Sequence, residues 1–221
     1  MSLQDKLDAF KADFEGNKAP PEVVAIIHKA TDDLIATGQA DRALKAGARA
    51  PEFALPDAHG NLVRSADLLA HGALALTFYR GVWCPYCNLD LQAIQDAAGE
   101  IRALGASLVA ISPQTAPNRR KSERENELSF PILSDHGNVL ANEFGLRYRL
   151  PDELIALYKG FGNDLALGNG EDSWTLPMPA RYVIARDGVI AYAEVNADYT
   201  QRPDPSELLP VLRRLRSDAA K

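Results

Sequence analysis

The sequence predicts an α/β protein in which a central mixed sheet is flanked by helices and preceded by a helical N-terminal extension. Three observations predict it. Two apolar runs of strand length, Ala73 to Tyr79 and Ala106 to Ser112, bracket a stretch in which Cys87, Leu91, Ile94, Ala98 and Ile101 step by four and three, the period of one helix face. Strand, helix and strand in succession make a βαβ unit with parallel strands and, normally, a right-handed crossover. Further on, Arg181 to Ala185 and Val189 to Val195 flank Asp187-Gly188, a dipeptide suited to the positive φ of a tight hairpin, so antiparallel strands join the parallel ones.

The elements follow in order. Leu3, Leu7, Phe10 and Phe14 place one apolar stripe on a charged helix that stops near Gly16 and Asn17. A second helix starts at Pro20 or Pro21 and runs through Val23, Val24, Ile26, Ile27, Leu34 and Ile35 to Gly38, a glycine placed as a C-terminal cap. Residues 1–44 are therefore read as a helical extension and 45–217 as the main domain. The two helices need a surface to cover. The main domain or a sister subunit could supply it, which leaves a homodimer open. From Lys45 the texture changes to short alternating segments punctuated by Gly and Pro, with Asp57 to Asn61 as a hairpin-type turn. After the βαβ unit, Ala116 to Leu128 is helical and charged, Phe130 to Leu133 extended, and Val139 to Phe144 a short helix. Gly160, Gly162, Gly168 and Gly170 predict a long irregular loop over Arg147 to Trp174. Leu208, Leu209, Val211, Leu212 and Leu215 close the chain as an amphipathic helix after the Pro203/Pro205 turn.

Composition narrows the function classes. The chain has 221 residues, 46% hydrophobic and 24% charged, ordinary values for a globular domain with an extension. With 24 Lys+Arg against 30 Asp+Glu the formal charge is -6, and no basic run offers phosphates a surface, so nucleic acid is not expected as a partner. No apolar run approaches the ~20 residues needed to span a bilayer, so no membrane segment is expected. The acidic start lacks the pattern of a secretory signal, which makes the cytoplasm the expected address.

The only two cysteines, Cys84 and Cys87, lie where the first strand of the βαβ unit meets its helix. A nucleophilic cysteine must be a thiolate, and a free thiol with pKa near about 8.5 is mostly protonated at neutral pH. Unpaired N–H groups and the positive end of the helix dipole favour negative charge in the first turn. Two cysteines three apart also share a face, so one sulfur can attack the other and release a mixed disulfide. Zinc ligation is a second reading, but His28, His59, His71 and His136 are not in paired ligand spacing. Inert packing is a third, against which stand Trp83 before the pair and Pro85 within it.

The residues also carry a resemblance. FYRGVWCPYC, Phe78 to Cys87, resembles the Trp-Cys-x-x-Cys active site of the thioredoxin superfamily. GARAPEFALPDAHG, ISPQT, FPILSDHGNVLANEFGL and PMPARYVIARDGVI resemble the peroxiredoxin, or AhpC/TSA, branch of that superfamily, over Ala46 to Leu215. The resemblance implies a thioredoxin-like, peroxiredoxin-type fold with Met178-Pro179 at the position of the superfamily's cis-proline, facing the cysteines. Pro179, Arg80, Trp83 and Arg181 are then expected around the substrate pocket, although Arg181 reads equally as a strand-end charge. Aligning Phe78-Tyr79 with the peroxiredoxin strand sets Arg80, Cys84 and Cys87 on the Pro, Thr and Cys of Pro-x-x-x-Thr-x-x-Cys. Cys87 then takes the attacking position, whereas the thioredoxin register makes Cys84 the nucleophile and Cys87 the buried resolver.

The reading implied is a peroxiredoxin-like thiol oxidoreductase that reduces hydroperoxides through a Cys84-Cys87 dithiol/disulfide cycle, with thioredoxin, glutaredoxin or glutathione as reductant and no metal or organic cofactor. Reduction of protein disulfides without peroxidase activity is the alternative, and a non-catalytic redox-sensing binding module is the rival from another class.

Overall fold

In the computed structural model, which describes residues 1–219, the chain opens with α1 (Leu3–Asp13), a π-helical turn (Phe14–Lys18), α2 (Pro21–Ala36) and the short α3 (Gln39–Arg42). A hairpin of β1 (Ala54–Pro56) and β2 (Leu62–Arg64) leads through α4 (Ser65–His71) to β3 (Leu74–Phe78), α5 (Pro85–Ala103) and β4 (Ser107–Ser112). Then come α6 (Ala116–Glu125), β5 (Ile132–Ser134), α7 (Val139–Glu143), β6 (Arg147–Arg149), α8 (Asp152–Gly160) and α9 (Leu165–Asn169). The chain ends with β7 (Thr175–Pro177), β8 (Ala180–Ile184), β9 (Ile190–Val195) and α10 (Leu208–Ala219).

The five-stranded sheet has the order β5-β4-β3-β8-β9. β3 pairs parallel with β4 and antiparallel with β8, so the βαβ unit and the C-terminal hairpin meet on one central strand. Strand alternation divides the core: Leu74, Leu76 and Phe78 join Val109, Ile111, Tyr182 and Phe144 on one face, while Ala75 and Tyr79 face α5 and α10 on the other. Every residue of β3 is buried, which explains why it reads as a continuous apolar run.

The helical extension packs on its own chain. Ser2 and Asp5 close a capping box at the start of α1, and Leu3 and Leu7 enter the cluster that holds Leu91, Ile94 and both cysteines. Ile26, Ile27 and Ala30 of α2 cover a third cluster made by Leu154, Tyr158, Trp174 and Leu176.

Two expectations are corrected. The stretch from Arg147 to Trp174 is not one irregular loop but carries β6, α8 and α9. Its glycines punctuate helix ends: Gly170 caps α9 at φ 73°, and Asp164 caps its start by accepting from Ala166 and Leu167 N–H. The Met178-Pro179 bond is trans, as is every peptide bond among the described residues. Trans is the isomer that an X-Pro bond ordinarily prefers, and just before it Met178 N–H donates to Leu146 O at 2.9 Å.

Candidate active site

The site lies just past the carboxyl end of the central strand. After Phe78 the chain crosses Tyr79, Arg80 and Gly81 and turns into α5, with Cys84 as the extended N-cap residue (φ -95°, ψ 110°) and Pro85 at the first helical position, where its missing N–H costs nothing. Cys84 N–H donates to Gly81 O at 3.1 Å, and Asn88 N–H to Cys84 O at 3.1 Å. Gln114, from the loop after β4, accepts from Val82 N–H at 2.9 Å. Gly81 sits at φ 154°, and a Cβ there would lie 2.5 Å from the Trp83 ring nitrogen. The turn that presents the cysteines therefore requires glycine.

Both thiols are free and buried, Cys84 at 1% and Cys87 at 0% exposure. Each has its own guanidinium. Arg80 Nη1 donates to Cys84 Sγ at 3.7 Å, and Arg202 Nη2, from the loop after β9, to Cys87 Sγ at 3.7 Å. Arg80 is itself buried, with Nη2 donating to the Tyr158 hydroxyl and its plane over the Tyr199 ring at 4.0 Å and the Trp83 ring at 4.9 Å. Burial holds the Tyr158 phenol neutral by pushing it up to about 12. No carboxylate among the described residues pairs with Arg80, so a Cys84 thiolate is its counter-ion.

The two thiols are consequently unequal. Burial by itself pushes the Cys84 thiol up, but the hydrogen bond from Cys87 and the charges of Arg80 and Arg202 outweigh it and bring the group down to about 6. Cys87 moves well above the ordinary thiol range, first because it is buried and then because a Cys84 thiolate lies beside it. One sulfur is poised as an anion while its neighbour holds a proton.

The other residues singled out in the sequence lie in the same region. Trp83 packs on Tyr158 with ring centroids 5.1 Å apart. Arg181 bonds not a sulfur but Asp90, one turn past Cys87 on α5, and the second oxygen of Asp90 lies 3.5 Å from Arg202 Nε. Pro179 lines a small cleft with Thr77, Asp90, Arg181 and Arg202. On the Arg80 side, a cavity of about 500 Å³ opens between α2 and the main body, lined by Leu34, Arg80, Tyr148, Leu154 and Tyr199 among others. Asp90, Tyr158, Tyr199 and Arg202 carry no sequence motif, and Gln114 lies within the ISPQT segment without being singled out by it. Only a polar residue three after Cys87, on the face that otherwise reads as core, hinted at Asp90.

A thiolate and a protonated thiol sharing the first turn of a helix, with a cation against each, define a thiol oxidoreductase on a thioredoxin-like fold. Comparison with known proteins narrows the class. The AhpC/TSA family model matches residues 46–193. The chain is 26% identical to the chloroplastic peroxiredoxin Q of Triticum aestivum over 204 residues, 92% of this chain and 83% of that protein. It is 29% identical to peroxiredoxin Bcp of Escherichia coli strain K12 over 103 residues, 47% of this chain and 65% of that protein. Peroxidoxin BcpB from Mycobacterium tuberculosis has a similar crystal structure, with TM-score 0.61 and 23% identity over 77% of this chain and 97% of that one. The chain belongs to the AhpC/TSA family, as a peroxiredoxin-like thiol-dependent peroxidase. Among the described residues, no helix is long and apolar enough to cross a membrane.

Proposed function

We propose that Cys84 is the thiolate that reduces the hydroperoxide and Cys87 the thiol that resolves it. The observation that carries this reading is the Arg80 guanidinium, buried with no carboxylate partner among the described residues and held 3.7 Å from Cys84 Sγ. A buried cation in this position favours the anion beside it. The cavity on the other side of Arg80 reaches that guanidinium but is not lined by Cys84 itself, so a small hydroperoxide entering there must move past Arg80 to meet the sulfur. Cys84 attacks the O–O bond, becomes a sulfenic acid, and releases the alcohol or water. Cys87 then displaces the sulfenic oxygen as water and forms the Cys84-Cys87 disulfide. A thioredoxin-type reductant, or glutaredoxin or glutathione in the same reducing cytoplasm, supplies two electrons and two protons to restore the dithiol. Of the two registers left open by the sequence, this favours the one in which the first cysteine attacks. Arg80, Trp83, Pro179 and Arg181 shape the surroundings of the pair.

The test treats Cys84→Ser and Cys87→Ser separately with one equivalent of hydrogen peroxide or an alkyl hydroperoxide and a sulfenic-acid trap. The expected result is label on Cys84 in the Cys87→Ser protein and none in Cys84→Ser. Label on Cys87 alone would assign the attack to the second cysteine. Slow thiol loss with every hydroperoxide, together with rapid exchange against a protein disulfide, would replace the peroxidase by a disulfide reductase.

A further inference from the structure

Resolution asks for something that Cys87 does not have at rest. Cys87 is 0% exposed, yet to attack the sulfenic acid it must become a thiolate, an anion shut off from bulk solvent. The group in place to stabilise that anion is Arg202, with Nη2 at 3.7 Å from Cys87 Sγ.

Arg202 is held from several directions. Its Nη1 donates to the carbonyls of Tyr199 and Gln201, and its Nε lies 3.5 Å from Asp90 Oδ2. Asp90 Oδ1 accepts from Arg181 Nη2, and Arg181 Nη1 donates to Pro203 O at 2.7 Å, next to Arg202 in the chain. The side chains of Asp90, Arg181 and Arg202 are each only 3% exposed. Two guanidiniums thus share one carboxylate, and the uncompensated positive charge is directed at sulfur. The first helix braces the same loop, because Arg202 N–H donates to Gln4 Oε1 at 3.1 Å and Gln4 Nε2 donates to Thr200 O at 3.3 Å.

We propose that Arg202 is a catalytic residue of the resolution step, stabilising the Cys87 thiolate as it attacks the Cys84 sulfenic acid, and that Asp90 and Arg181 are the positioning residues that aim it. In that step the Cys87–Cys84 S–S bond forms and the S–O bond of the sulfenic acid breaks. The departing hydroxide leaves as water with the proton that Cys87 has shed, and no outside oxidant or reductant enters. The inference rests on Cys84 being the first cysteine oxidised.

The titratable and charged groups that act on Cys87 are Cys84, just before its helix, Arg80 and Tyr79 just past β3, Tyr148 from β6, and Arg202, with Asp90 behind Arg202. Tyr79 and Tyr148 are both pushed up by burial and stay neutral, so the pH dependence of resolution follows the thiols. Reduced protein is mixed with one equivalent of hydrogen peroxide, and sulfenic acid and disulfide are followed separately by quenching and mass spectrometry. In Arg202→Gln the ratio of the resolution rate to the oxidation rate is expected to fall by roughly 100-fold, the scale of losing one charge-stabilising donor. Sulfenic acid then accumulates, and the pH profile of resolution moves to higher pH. Arg202→Lys keeps the charge and is expected to recover at least about tenfold of that loss. Asp90→Asn lowers the ratio by about tenfold, and circular dichroism checks that it folds. Parental resolution in Arg202→Gln, or a lysine variant no better than the glutamine one, would overturn the proposal. Failure of the underlying assignment appears elsewhere, as absence of sulfenic acid at Cys84 in the Cys87→Ser protein with Arg202 intact.

Discussion

Cys84 and Arg80 form one electrostatic unit, and its titration follows from its geometry. A thiol whose pKa drops on folding releases its proton in the folded state first, so the unfolded chain binds more protons between the two values and stability rises with pH there. For Cys84 the window runs from about 6 in the folded protein up to the ordinary value of 9.0. Its contribution is complete above 9 and is lost as pH falls through about 6. The rate of oxidation by hydrogen peroxide should climb through the same lower limit, since the thiolate is the attacking species. In Arg80→Gln the thiolate absorbance at 240 nm should rise at least about one pH unit later, with a loss of roughly tenfold or more in peroxide rate at pH 7. An unchanged absorbance profile would separate Arg80 from Cys84. The sequence made this part of the site readable because Arg80, Trp83, Cys84 and Cys87 lie within one short turn. Tyr158, Tyr199 and Arg202 arrive from elements far along the chain, each as an ordinary residue in its own segment, and only the folded topology brings them to the sulfurs.

At the scale of elements, α1 belongs energetically to the active-site helix. Leu7 is 0% exposed and shares a cluster with Leu91 and Cys87, and Phe10 meets Tyr86 edge-on at 5.1 Å. Leu7→Ala should cost about 2–5 kcal/mol, the range for emptying a buried leucine site, and lower the urea midpoint accordingly. A loss below about 1 kcal/mol would mean that α1 only rests on the surface. The elements legible in the sequence are those with an unbroken period: β3, α5 and β4, the β8-β9 hairpin, and the stripe of α1. α8 is obscured because Gly160 at its end and Gly162 just past it have the texture of a loop, although Leu154 and Tyr158, four apart, mark a buried face. The trans bond before Pro179 has a different origin. The resemblance supplies a position, not the isomer, and the bond there is the ordinary trans form of an X-Pro pair.

Taken whole, the molecule puts its chemistry at the carboxyl end of the central strand, where the crossover helix begins, and then closes it over with parts drawn from both ends of the chain. The loop after β9 brings Tyr199 over Arg80 and Arg202 against Cys87, while Gln4 from the first helix clasps that loop. Cation content and fold are therefore bound to the electron count. In the reduced protein above pH 6 the Cys84 thiolate neutralises Arg80, but a disulfide carries no charge, and the same guanidinium is then left among aromatic rings and a phenol. Breaking a buried ion pair from one side costs about 3–5 kcal/mol, and the short loop closed by the new bond returns only part of that. The oxidised protein should melt below the reduced one at pH 8, by roughly 5 °C or more, and the gap should shrink towards pH 5 as Cys84 takes up its proton. Equal melting temperatures at pH 8 would contradict it. Around the closed thermodynamic cycle, whatever the fold loses on oxidation reappears as a higher reduction potential, so the buried arginine that readies Cys84 to give up electrons also makes the resulting disulfide eager to take them back.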